Sequence, residues 1–345
     1  MLPLLALIAV TSGDYDPPPF AVLVDRTRRE VVLRIGPSHV PSAPPGMDHH
    51  TAYSAGGHNV PILQFAWPVS GWIRGYRLGI TDAEGRSYTS RFLHHLNLLH
   101  LDRALLFDPV FERTIAIGQE TADVRLPSSV GIRVDEGSRM GVHIAFANET
   151  GEDRHGVVLE LRISYIGEDV VPRPTDIRPI VFDIGFRAGY GSAFDLPAGR
   201  SVHERVFTLP MDGRLLGAGG HLHQYAESLT LEDVETGKRL VTLRGIPDSA
   251  GLAGVTRKVL GVTGDGLRLK AGRTYRAVAV YLNPESHPIK SGGMAALVGI
   301  FAPDRPAQWP SLDRETAGFQ AEKASLDRYG WAPLTLTHQE VRRRN

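Results

Sequence analysis

His221-Leu222-His223 sets two imidazoles two residues apart. In a strand such residues point to the same face, with their Cα atoms about 7 Å apart, so both rings can meet one metal ion. With 14 histidines in 345 residues, chance is the competing account of that spacing. His94-His95 lies in the apolar run Arg91-Phe92-Leu93-His94-His95-Leu96-Asn97-Leu98-Leu99. Adjacent strand residues face opposite sides, so these two can share an ion only if a bulge or twist re-aims one of them. The plainer reading puts one ring in the core and the other in solvent. His143 stands among small and apolar residues in Met140-Gly141-Val142-His143-Ile144-Ala145-Phe146, where a hydrogen-bonded core histidine is the ordinary occupant. Met294 lies where a loop enters a strand, a place in which methionine usually fills a gap.

The chain has no cysteine, which excludes disulfides, thiolate zinc sites, iron–sulfur clusters and cysteine nucleophiles. Three imidazoles suit copper in both oxidation states, and could equally hold zinc. Two imidazoles with a soft thioether would favour Cu(I). No nucleophile elbow and no Gly-rich phosphate loop stands out.

These side chains need strands to hold them, and the composition supplies them. The 37 Gly and 24 Pro suit many short strands better than long helices, which predicts an all-β fold. Alternating runs fall at Phe20–Val24, Glu30–Ile35, Gln64–Leu78, Ser90–Leu99, Gly131–Val134, Met140–Phe146 and Val157–Tyr165. Asp82-Ala83-Glu84-Gly85 reads as the turn of a hairpin joining the third and fourth of these runs. Gly167–Thr175 reads as a linker, and similar strands recur from Ile180 to Ile300, the spacing of a sandwich or jelly roll. Leu312–Tyr329 predicts one amphipathic helix, and Arg342-Arg343-Arg344 closes a polar tail.

Thirty-eight basic and thirty-eight acidic residues cancel, so no bulk field would collect nucleic acid or an anionic membrane. Residues 1–13 are apolar and end in small residues, like a signal peptide without a basic start, which predicts a periplasmic or secreted protein. No later run is long enough to span a bilayer, so no stable membrane insertion is expected.

The order of the four features, a His pair and a later His, then His-X-His and a later Met, resembles the copper type II, ascorbate-dependent monooxygenases. This family includes peptidylglycine α-hydroxylating monooxygenase and dopamine β-monooxygenase. Arg125-Leu126-Pro127-Ser128-Ser129-Val130-Gly131-Ile132-Arg133-Val134 also resembles the family segment before its third His. The resemblance spans roughly residues 60–303. It implies two tandem antiparallel jelly rolls, one copper held by His94, His95 and His143 for electron transfer, and one held by His221, His223 and Met294 for oxygen activation. The expected organisation is then a signal segment at 1–13, a first copper-binding jelly roll at 14–168, a linker at 169–177, a second at 178–303, and a helical, polar tail at 304–345. The implied activity is hydroxylation of a C–H bond of a small organic substrate, with O2 and an external one-electron reductant such as ascorbate. His49-His50, His58, His100 and His287 are left as surface or supporting groups.

The chain departs from the family at Gly219, where the peptidylglycine enzymes carry an Arg that grips the substrate carboxylate. Ala296 and Val298 stand where they carry Asn and Tyr. An apolar or aromatic substrate is therefore expected, with Gly219 and Gly220 opening space beside the second copper. The alternative is a non-catalytic copper- or ligand-binding jelly-roll protein. A further competitor is a glycan-cleaving amidase on a similar frame, using carboxylates such as Asp183, Glu204 or Glu227, although no spacing singles out a pair.

Overall fold

The computed structural model describes residues 17–42, 60–119, 121, 123–247, 253–255, 258–259 and 265–341. The signal-like segment, His49-His50, His58 and Arg342–Arg344 lie outside the described residues. The fold is all-β: two jelly rolls in tandem, followed by a tail with one helix.

The first half supplies β1 (Phe20–Asp25), β2 (Glu30–Val40), β3 (Leu63–Ala66), β4 (Gly71–Thr81), β5 (Ser87–Tyr88), β6 (Leu93–Ala104), β7 (Phe111–Gly118), β8 (Val124–Arg125), β9 (Val130–Val134), β10 (Arg139–Phe146), β11 (Arg154–Gly167) and β12 (Thr175–Asp176). One sheet runs β12-β9-β4-β11-β2-β1, with β5 and β8 also pairing with β4; the other runs β3-β10-β6-β7. Their facing side chains, including Leu33, Ile35, Leu161 and Ile163 from one sheet and Leu96, Leu98, Ile115, Val142 and Ile144 from the other, form a single core. Alternation does this: on β6 the even-numbered residues from Leu96 to Leu98 go inward and the odd-numbered ones go outward.

The second half supplies β13 (Arg178–Asp183), β14 (Phe194–Leu196), β15 (Gly199–Thr208), β16 (Gly213–Leu222), β17 (Ala226–Asp233), β18 (Arg239–Pro247), β19 (Ala253–Val255), β20 (Lys258–Val259), β21 (Leu267–Leu269), β22 (Thr274–Asn283), β23 (Ile289–Gly293) and β24 (Ala295–Pro303). The sheet β13-β24-β16-β20, joined by β21, packs against β15-β22-β17-β18-β19, and Phe182, Leu215, Leu297 and Phe301 meet Leu229, Leu231, Leu243 and Tyr281 between them.

The turn at Asp82–Gly85 closes a short antiparallel hairpin of β4 with β5, but it does not join the two predicted runs. β4 and β6 lie in different sheets, and the turn leads only to the two-residue β5. Asp82 builds that turn: its carboxylate accepts from the Glu84 and Arg86 backbone N–H groups, from Arg86 Nε at 2.8 Å and from the Tyr88 hydroxyl at 2.6 Å. Those donors hold its pKa at about 2 against the cost of burial. Turn chemistry of this kind serves a sheet-to-sheet crossing as well as a hairpin, so it does not say which strands pair.

The two jelly rolls interlock through the tip of the β6–β7 loop. Leu106 and Phe107 enter the second core, where the Phe107 ring lies 5.0 Å from that of Phe182 and 4.9 Å from that of Phe207. Asp108 pairs with Arg205 of β15 at 2.7 Å. Leu105 and Val110 pack with Val181, Phe186 and Ala296.

The predicted helix is shorter than expected: α1 spans Ala317–Asp327 and starts where the Thr316 hydroxyl caps the Phe319 N–H at 3.2 Å. The tail returns to the first jelly roll. Trp309 Nε1 donates to the Ala104 carbonyl, Phe319 and Leu326 cover Ile62, Leu99, Leu101 and Phe111, and β25 (Gln339–Glu340) adds to β1. Among the described residues no helix is long and apolar enough to cross a membrane.

Candidate metal centre

In the β6–β10 pair His95 stands opposite Ala145, and Asn97 opposite His143. Alternation then puts His95, Asn97, His143 and Ala145 on the outer face of the four-stranded sheet, with the two histidines as diagonal neighbours. Their ring centroids are 4.6 Å apart. On the other side of β6, Gly118 and Ala116 stand opposite His95 and Asn97, so small residues leave room above the rings.

His94 would ordinarily point into the core. The register slips at this point: Ala145 pairs with His95 but Phe146 pairs with Leu93, so His94 is the extra residue of a β-bulge. Its ring lies 5.2 Å from that of His95. The bulge that an adjacent His pair requires is therefore present.

His95 and His143 each bury an Nε2 with no hydrogen-bond partner among the described residues. Burial holds the His95 imidazole well below its ordinary range, helped by the charges of His143, Arg113 and His221. Burial, then Arg113 and His94, pushes His143 down to about 4. Both rings are thus neutral at pH 7, and each can turn a lone pair to Nε2. An orphaned buried polar atom of this kind costs roughly 1–3 kcal/mol, which a metal ion would recover. The trio is more open than a closed site: among the described residues, His39, Asp153 and His155 are the group whose ligand atoms all lie within 4.8 Å of one another.

On the second jelly roll His221 stands opposite Ala296 and Leu222 opposite Ala295, and the His223 N–H donates to the Met294 carbonyl at 3.2 Å. This register sets Gly219, His221, His223, Met294 and Ala296 on one outward face, and the two imidazole centroids are 5.0 Å apart. The buried Tyr281 hydroxyl fixes the junction, donating to the Met294 carbonyl at 2.5 Å and accepting from the His223 N–H at 3.4 Å; burial pushes its phenol up. Gly220 does not open space beside His221, contrary to expectation. It faces the core, where a Cβ would come within 2.6 Å of the Ala296 carbonyl oxygen and 2.9 Å of Leu229 Cδ2.

The two faces meet at the junction of the jelly rolls, close enough for the charge of His221 to depress His95. Two further groups lie there: Arg113, which has no signature in the sequence, and Asp183, one of the carboxylates the sequence offers. Arg113, opposite Leu99 on β7, acts on His95, His143 and Asp183. Asp183 flanks Ala296 on β13, across from His221 on β16. Its Oδ2 accepts from Ser192 Oγ at 2.6 Å while its Oδ1 is buried without a partner, and burial raises its carboxyl above the ordinary range. Glu204 and Glu227 do not join it: they lie at β15 and β17 of the other sheet, within 3.5 and 3.7 Å of Arg276 and Arg200. His100 is buried on the inner side of β6 and His287 is exposed.

No family model matches the chain, and no curated protein matches it. The solved structures it resembles include PNGase F, described as an N-glycanase, with a TM-score of 0.40 at 8% identity over 79% of this chain and 96% of that one. A second is PNGase F from Flavobacterium meningosepticum, a glycosylasparaginase, with a TM-score of 0.35 at 9% identity over 79% and 96%. A third is the major capsid protein P2 of bacteriophage PM2, with a TM-score of 0.35 at 10% identity over 78% and 97%. None of these is a copper monooxygenase. The expected membership of the copper type II family is overturned, and with it the oxidoreductase that hydroxylates a C–H bond using O2 and ascorbate. The non-catalytic carrier gains no support from them either. The resemblance rested on the order of four short features and one flanking segment, and jelly-roll strands can repeat such an order without common descent.

Proposed function

We propose that the histidine-bearing faces at the junction between the two jelly rolls form a transition-metal centre. The observation that carries this reading is the pair of neutral, buried imidazoles, His95 and His143, with unpartnered Nε2 atoms and rings 4.6 Å apart. His94 completes the first ligand set through its bulge. His221, His223 and Met294 form the second, where the thioether favours copper over zinc. Two copper ions per chain is the stoichiometry these sets would take. The protein's own contribution is rigid placement: the ligands stand on strands, Tyr281 pins the His223–Met294 junction, and burial, helped by Arg113, keeps the first imidazoles unprotonated.

The test is the metal content of chains loaded with Cu(I) under reducing conditions and then gel-filtered. The parent should retain two equivalents, His95→Ala/His143→Ala one, and His221→Ala/Met294→Ala one. Equal copper in the parent and both variants would remove the centre.

A further inference from the structure

We infer that a separate site for a divalent metal ion of the zinc class lies on the surface of the first jelly roll, formed by His39, Asp153 and His155. It belongs to the nine-stranded sheet and does not depend on the junction centre. His39 is near the end of β2, Asp153 directly precedes β11, and His155 is its second residue. The β2–β11 register skips between Arg154 and Val157. Gly156 occupies that irregularity with φ +64°, a left-handed conformation open to glycine, and a Cβ there would come within 2.6 Å of Ala83.

The irregularity brings His155 face to face with His39: the rings are 3° from parallel with centroids 4.4 Å apart. Asp153 is aimed by its backbone contact. Its Oδ1 accepts from the Ser42 N–H at 2.9 Å, while its Oδ2 lies 2.9 Å from His39 Nε2. That backbone hydrogen bond, followed by the one from His39, holds the carboxyl below its ordinary range, so it is an anion at neutral pH. All three ligand atoms lie within 4.8 Å of one another. Around an ion with bonds of about 2.0–2.1 Å, tetrahedral ligands sit about 3.3 Å apart, so small side-chain rotations close the site. All three residues are exposed, which leaves the remaining coordination positions to water.

A simple ion pair accounts for His39 and Asp153 but not for the second imidazole stacked on the first. Two imidazoles and a carboxylate, with no sulfur, form the donor set of a borderline divalent ion rather than of Cu(I).

Zinc titration by calorimetry of the full chain, first stripped with a chelator, tests the site. His39→Ala and His155→Ala should each bind one equivalent of Zn2+ fewer than the parent, with unchanged far-ultraviolet circular dichroism. Asp153→Asn, which can still accept from Ser42, should weaken that equivalent at least tenfold. His95→Ala/His143→Ala should keep it, so failure of the junction centre would register in that variant and not in these. The same number of zinc equivalents in His39→Ala, His155→Ala and the parent would overturn the site.

Discussion

Gly220 and His221 are neighbours on β16 with opposite duties, because each step along a strand changes face. His221 looks out over Ala296, and Gly220 lies against the Ala296 carbonyl and Leu229. Gly220→Ala should therefore destabilise the fold, by about 1–3 kcal/mol for a methyl forced into a filled interior. Chemical denaturation would measure this, and an unchanged midpoint would contradict the packing. Pairing by face was legible in the sequence for His221 and His223, since a spacing of two fixes a common side on any strand. For His94-His95 only the requirement was legible. The bulge arises from the register between Ala145 and Phe146 on another strand, and no local residue announces it. Arg113 was illegible as a site residue for a similar reason: it approaches the imidazoles only through the pairing of β7 with β6, whereas Asp183 was legible only as one of several carboxylates with no spacing to single it out.

At the scale of elements, the alternating runs predicted strands well and their partners poorly. Apolar alternation records that one side of a strand is buried, and it holds equally for a hairpin and for a strand crossing to the opposite sheet, which is what separates β4 from β6. The β6–β7 loop shows a further limit. Leu105, Leu106 and Phe107 continue the apolar texture of β6, yet their burial is supplied by the other jelly roll. Phe107 is half-buried, with its ring tilted against those of Phe182 and Phe207. Phe107→Ala should cost about 2–3 kcal/mol, below the range for a fully enclosed ring. The loss falls on the contact between the jelly rolls, so scanning calorimetry should show the single transition of the parent broadening or splitting. A uniform downward shift with an unchanged shape would mean that the loop does not couple the two halves.

Across the whole molecule, the tail closes what the sheets leave open. The outer face of β6 and β10 carries Leu99, Leu101 and Gly141 at one end and His95 and His143 at the other, and a bare sheet would expose both. Phe319 and Leu326 of α1 cover the apolar end. Past the helix, the Tyr329 ring lies 4.7 Å from that of His143, at the border between the covered and the histidine-bearing parts of the face. The tail thus reaches the proposed first ligand set, and a Tyr329 ring in this place would limit the approach of solvent to the buried His143 Nε2. Tyr329→Ala should leave the copper stoichiometry unchanged and speed extraction of the first ion by a Cu(I) chelator several-fold, followed by stopped-flow absorbance. Tyr329→Phe keeps the ring and should match the parent. Equal extraction rates in the alanine variant and the parent would show that access to His143 is controlled elsewhere, leaving Tyr329 as packing for Leu326 and the rest of the tail.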